Sequence, residues 1–142
     1  MNAPLYTLDI LRLAASLPEP RELERVDGSA SHRSQTCGST VQVDVQIGRD
    51  GRVEVLSQTV EACAFGQAAA ALVAAGAAGR SRDEVQQALG ELAAWLDGSR
   101  SDPPNWPGFE ALAPARSRKS RHGAILLPLQ ALVAAMDQAA AR

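Results

Sequence analysis

Residues 34–67 read SQTCGSTVQVDVQIGRDGRVEVLSQTVEACAFGQ and hold both cysteines of the chain, Cys37 and Cys63. In TVQVDVQI, Val41, Val43, Val45 and Ile47 alternate with Gln42, Asp44 and Gln46. That period of two belongs to a half-buried strand. Asp50 and Gly51, inside GRDGR, form a hairpin turn signal. RVEVLSQTV is then the return strand, with Val53, Val55, Ser57 and Thr59 predicted on one face. Positions paired across such a hairpin sum to about 101, and Cys37 and Cys63 sum to 100. The register therefore predicts the two thiols opposite each other, within about one residue, at the open end of the hairpin. Cross-strand neighbours have Cβ atoms roughly 5–8 Å apart, close enough to share a ligand.

Outward from the hairpin the pattern turns helical. A small-residue helix is predicted from Ala64 to about Ala78, stopping at Gly79. Cys63 then lies at a helix N-terminus, a position that favours thiolate. Ser81 and Glu84 make a capping box for a helix over Arg82 to Asp97, closed by Gly98. On the other side, Leu5 to Ser16 shows helical spacing and ends at LPEPREL, where two prolines stop it. VDGSASHRSQ reads as a short edge strand after the Asp27-Gly28 turn. After GSRSDPPNWPG, a loop, FEALAPARSRKSRHG reads as a short helical turn followed by a basic connector. AILLPLQALVAAMDQAAA is the last helix, with Pro128 in its first turns or kinking it.

The 142 residues fit one domain, 1–142, with a core of Leu, Val, Ile and Ala. Net charge is −2, so nothing global points to nucleic acid. Lys119 is the only lysine, and the excess of Arg and Ala reads as a composition bias. The start lacks a basic stretch before its apolar run, so no secretory signal is expected. ACAFGQAAAALVAAGAAG is too rich in Ala and Gly, with Gln67 inside, for a good membrane span. The expectation is a cytoplasmic protein with reduced thiols and no membrane partner.

Candidates for soft-metal binding are Cys37, Cys63, His32 and His122, of which His32 sits in a polar, exposed segment. For the cysteine pair, three readings stand: metal or cluster binding, a redox pair, or two inert thiols. Arg116, Arg118, Lys119 and Arg121 read either as a solvated connector or as a docking surface for an acidic partner. No aromatic is interleaved with them, which argues against nucleic acid.

A tyrosine-bearing first helix, a proline-rich turn, TCGS, an alternating hairpin with DG, EACAFGQAAAA, a capped helix, LAPAR and RHGAILLPLQAL follow one another. In order and spacing this resembles the U-type iron–sulfur cluster scaffold family (IscU, SufU and the N-terminal domain of NifU), along nearly the whole chain. The resemblance implies an α+β fold, a small antiparallel sheet of about three strands with helices packed on one face. It implies a site for a nascent [2Fe–2S] cluster or zinc, with three cysteines, an Asp two residues after the first Cys, and a His just before the third. Cys37 and Cys63 match the first two cysteines and His122 the histidine. The Asp position is Ser39 and the third cysteine position is Gly123. Three strong donors then remain where a cluster or closed zinc site takes about four. Ser39, Glu61 or His32 are the candidates to complete the set.

The function implied is a carrier, not an enzyme. The chain would bind iron, zinc or a labile Fe–S cluster through Cys37, Cys63 and His122 and pass it on. The alternative is a SufU-like sulfur-transfer accessory, with Cys63 accepting persulfide sulfur from a cysteine desulfurase. A third reading is a degenerate paralogue that binds neither. The resemblance also implies that an Hsp70-type chaperone reads the loop from Leu112 to Arg116.

Overall fold

A computed structural model describes residues 6–35 and 37–141. Three strands, β1 (Gly28–Arg33), β2 (Thr40–Ile47) and β3 (Val53–Glu61), form one antiparallel sheet in the order β1-β2-β3. Around it lie α1 (Leu8–Ala15), α2 (Ala64–Gly76), α3 (Arg82–Asp97), a 3₁₀ segment (Phe109–Ser117) and α4 (Lys119–Ala140). The class is α+β, as the resemblance implies.

Val41, Val43 and Val45 of β2 are at most 1% exposed and face the helical layer. There α4 crosses β1 and β2 while α2 covers β3. Behind these two helices, α1 packs on α2 and α3 packs on α4. The opposite sheet face is crossed by coil. Arg21 N–H donates to Ser57 Oγ at 2.9 Å, and Arg25 N–H to Gln46 Oε1 at 3.4 Å.

The hairpin pairs as its sequence dictates from Thr40↔Glu61 to Gln46↔Val55. A bulge between Gln46 and Ile47 then shifts the register, so that Ile47 pairs with Val53. The extra residue inverts the alternation of β3. Its inward residues past the bulge are therefore Leu56, Gln58 and Val60, opposite Val45, Val43 and Val41. The single face of Val53, Val55, Ser57 and Thr59 is not formed, because no alternating pattern in the sequence marks a bulge.

The helix boundaries differ in instructive places. Thr7 caps α1, accepting from Ile10 N–H at 3.2 Å, so the helix begins later than expected; Leu5 lies outside the described residues. α3 matches its prediction, with the Ser81–Glu84 capping box and a left-handed Gly98 (φ 88°) as its stop. α4 begins at Lys119, so the basic run is no connector: it straddles the end of the 3₁₀ segment and the first turn of α4. Pro128 is consequently inside α4 and buried.

Small residues let the layers close. A Cβ on Gly28 would overlap the carbonyl oxygen of Ala135, which fixes how tightly β1 lies on α4. α4 also has the length and hydropathy of a membrane span, at a mean of 1.3, but 56% of that window is buried inside the fold. Among the described residues that helix, and not the Ala-rich α2, is the longest apolar one.

Candidate functional site

The β2–β3 ladder ends at Thr40↔Glu61, and the two cysteines lie just beyond it, one on each strand's continuation. Cys37 is exposed and Cys63 half-buried, and neither forms a disulfide. Both are thus delivered to the open end of the hairpin, as the register predicts.

Each is held in a different way. Cys37 belongs to a tight loop: Ser34 N–H donates to Ser39 O at 2.8 Å, and Gly38 N–H to Ser34 O at 3.0 Å. Gly38 takes φ 73°, a conformation that costs a side-chain-bearing residue dearly. Inside this loop Cys37 Sγ lies 3.0 Å from Ser39 Oγ. Burial pushes the Cys37 thiol up, but the hydroxyls of Ser34 and Ser39, the Ser39 N–H and the charge of Arg121 together bring it below the ordinary thiol value. Cys63 is the N-cap of α2, extended at φ −66° and ψ 173°, and its side chain caps nothing.

Ser39, at the Asp position, is buried, and its hydroxyl is directed to Cys37. Gly123, at the third cysteine position, faces the buried Ser34. A Cβ at 123 would lie 2.6 Å from Ser34 Oγ. The neighbouring residue of α4, Ala124, meets the other cysteine's helix. A Cβ on Gly66, in the first turn of α2, would come within 3.3 Å of Ala124 Cβ and 2.7 Å of Ala62 Cβ.

His122 is engaged by the 3₁₀ segment. Its Nε2 lies 2.9 Å from Ala115 O and 3.2 Å from Arg116 O. Carbonyl oxygens only accept, so Nε2 carries a proton and Nδ1 is the nitrogen left for a ligand. Glu61 and His32 are exposed, at the end of β3 and in β1. Among the described residues no three His, Cys, Asp or Glu side chains converge in a metal-holding group. The donors thus fit a metal in part: two thiols at one hairpin end, with His122 engaged by the 3₁₀ segment and hydroxyls where stronger donors would stand.

The segment Leu112 to Arg116 is folded into that 3₁₀ segment. Leu112 and Ala115 are fully buried. Arg116 donates from Nε to Trp95 O at 2.8 Å and stacks over the Trp95 ring at 5.2 Å. Sequence reasoning missed Ser34, whose role depends on a glycine 89 positions further along the chain. No local pattern marks such a pair.

No protein-family model and no curated protein matches the sequence. Among solved structures, the fold is similar to the N-terminal domain of a nitrogen-fixing NifU-like protein from Brucella abortus. The two are 30% identical with a TM-score of 0.85, over 97% of this chain and 96% of that one. It is also similar to an iron–sulfur cluster assembly scaffold protein assigned to the SUF system of Fervidobacterium islandicum AW-1. There the identity is 15% and the TM-score 0.74, over 93% of this chain and 96% of the other, a likeness of fold alone. With its three-stranded sheet and helical layer matched along nearly its whole length at 30% identity, the chain belongs to the U-type iron–sulfur cluster scaffold family, as a relative of NifU N-terminal domains.

Proposed function

We propose that this protein is a non-enzymatic carrier in iron–sulfur cluster assembly. It takes up iron, zinc or a labile cluster as cargo on Cys37 and Cys63 and releases it to a recipient. The observation that carries this reading is the end of the hairpin ladder at Thr40↔Glu61, with one thiol beyond it on either strand. His122 joins as a donor through Nδ1, or through Nε2 once it leaves Ala115 O and Arg116 O. Ser39 and Glu61 are the remaining oxygen donors near the thiols in sequence. With fewer than four strong donors, the cargo is held loosely and exchanges readily.

The test is metal content of protein purified without oxygen, beside Cys37→Ser and Cys63→Ser. Near-stoichiometric iron or zinc that both variants lose supports the reading. Equal metal in all three proteins, or none even with iron and sulfide supplied, refutes it; the latter is the behaviour of a degenerate paralogue.

A second reading, sulfur transfer, is favoured by one observation: the hydroxyls of Ser34 and Ser39 and the charge of Arg121 promote thiolate at Cys37. The Cys37 thiolate would attack the outer sulfur of a cysteine desulfurase persulfide. It would gain that sulfur as its own persulfide and release the desulfurase thiolate, with no net redox change. The sequence favours Cys63 for this role, by its place at the head of α2; the loop chemistry favours Cys37. Mass spectrometry after incubation with desulfurase and cysteine decides between them. An Hsp70-type chaperone that reads Leu112 to Arg116 in extended form would first have to unfold the 3₁₀ segment, since Leu112 and Ala115 are buried.

A further inference from the structure

The arginines of this chain are used unevenly. Arg25, Arg52, Arg82 and Arg100 each lie against a carboxylate. Arg80 and Arg116 donate to backbone carbonyls and stack over Trp106 and Trp95. By contrast, Arg33, Arg118, Lys119 and Arg121 pair with no carboxylate among the described residues.

These four belong to segments that meet at the Cys37 loop. Arg33 ends β1, and its Nη2 lies 3.7 Å from where a Cβ on Gly38 would be. Arg118 and Lys119 open α4, one turn from Gly123, which touches Ser34. The charge of Arg121 is felt at the Cys37 sulfur. Arg12, Arg21 and Arg49 also lack a carboxylate, but they are scattered over α1, the coil before β1 and the hairpin turn. In a chain of net charge −2, four cations that make no ion pair among the described residues sit on segments bordering one exposed thiol, where like charges repel one another. An incoming cluster of carboxylates relieves that repulsion and is steered to the thiol.

We propose that the surface formed by Arg33, Arg118, Lys119 and Arg121 around Cys37 docks an acidic protein surface, the partner with which cargo or sulfur is exchanged. The proposal rests on the reading of Cys37 as a working thiol, and names the character of its partner. A nucleic acid fits less well. The pI is about 5.6, and no Phe, Tyr or Trp lies in β1, the Cys37 loop or the first turn of α4 to stack on bases.

The test uses the full chain and a fluorescent Asp/Glu-rich peptide as the acidic probe, at low and high ionic strength. The wild-type protein should bind the peptide at low salt, lose it at high salt, and show amide shifts at Arg33, Gly38, Lys119 and Arg121. Arg33→Glu/Arg121→Glu should weaken binding by about tenfold or more, whereas Arg12→Glu/Arg49→Glu should not. Cys37→Ser should bind as the parent does, so a failure to carry metal or sulfur leaves this result independent. Absent or salt-insensitive binding by the wild type, equal loss in both double variants, or tighter binding to oligothymidylate or phosphatidylglycerol vesicles than to the peptide overturns the proposal.

Discussion

The Cβ that Gly123 lacks would stand 2.6 Å from the hydroxyl oxygen of Ser34, well inside contact distance. The two residues are therefore coupled, although they come from distant parts of the chain. Gly123→Ala should destabilise the protein by about 1–3 kcal/mol, the usual cost of overpacking. Ser34→Gly in the same chain should recover most of that loss. Urea denaturation of the single and double variants measures it; additive losses would show that the pair is not in contact. Gly123→Cys alone should likewise gain little metal, because its sulfur must displace the Ser34 hydroxyl. Ser34→Gly/Gly123→Cys should gain more.

Cys37 should be the faster thiol. Its sulfur is exposed, with the Ser39 hydroxyl at 3.0 Å, and its thiol titrates below the ordinary value. Alkylation by iodoacetamide in a Cys63→Ser background should therefore persist to lower pH than for a free thiol. Ser39→Ala should move the inflection upward. An unchanged pH profile in that variant would remove the hydroxyl from the account.

The β1–α4 contact should be sensitive to one methyl group. Gly28→Ala places a Cβ onto the carbonyl oxygen of Ala135 and 2.9 Å from the Ala139 Cβ. Since a backbone carbonyl cannot rotate away, the loss should be about 3 kcal/mol, the upper end for overpacking. Amide exchange should rise first in β1 and the last turns of α4.

Glu84 links α3 to acid stability. The Ser81 N–H, the Arg52 guanidinium and the Ser81 hydroxyl lower its carboxyl from 4.5 to about 2. A depressed folded value stabilises the fold while the carboxyl is ionised in both states. The contribution is thus complete above about pH 4.5 and fades as pH falls towards 2. Glu84→Gln should flatten the stability profile across that window while leaving its slope near neutrality unchanged. Thermal unfolding at a series of pH values checks it.

Much of this arrangement was legible in the sequence, for physical reasons that differ by element. Alternation in 40–47 and the Asp50-Gly51 turn set the register, and the register alone placed Cys37 and Cys63 at the open end of the hairpin. The Ser81–Glu84 cap and Gly98 bounded α3 because caps are local chemistry. The bulge at Gln46/Ile47 was not legible, since it reflects twist and packing and carries no composition of its own. Nor was the early start of α4, where Arg and Lys at a helix N-terminus oppose the macrodipole and tertiary packing overrides them. The orientation of His122 depends on the carbonyls that end the 3₁₀ segment, which no spacing encodes.

Residues 123 and 124 are consecutive, yet one abuts the loop that carries Cys37 and the other abuts the helix that carries Cys63. A single peptide of α4 thus works as a gauge block inserted between the two arms of a caliper. How closely the Cys37 loop and the head of α2 lie against α4 is limited at Gly123 and Ala124. Thickening that block by one methyl group at position 123 would press on the loop of Cys37 without altering either thiol, so the seating of that loop is machined into a helix that carries no cysteine.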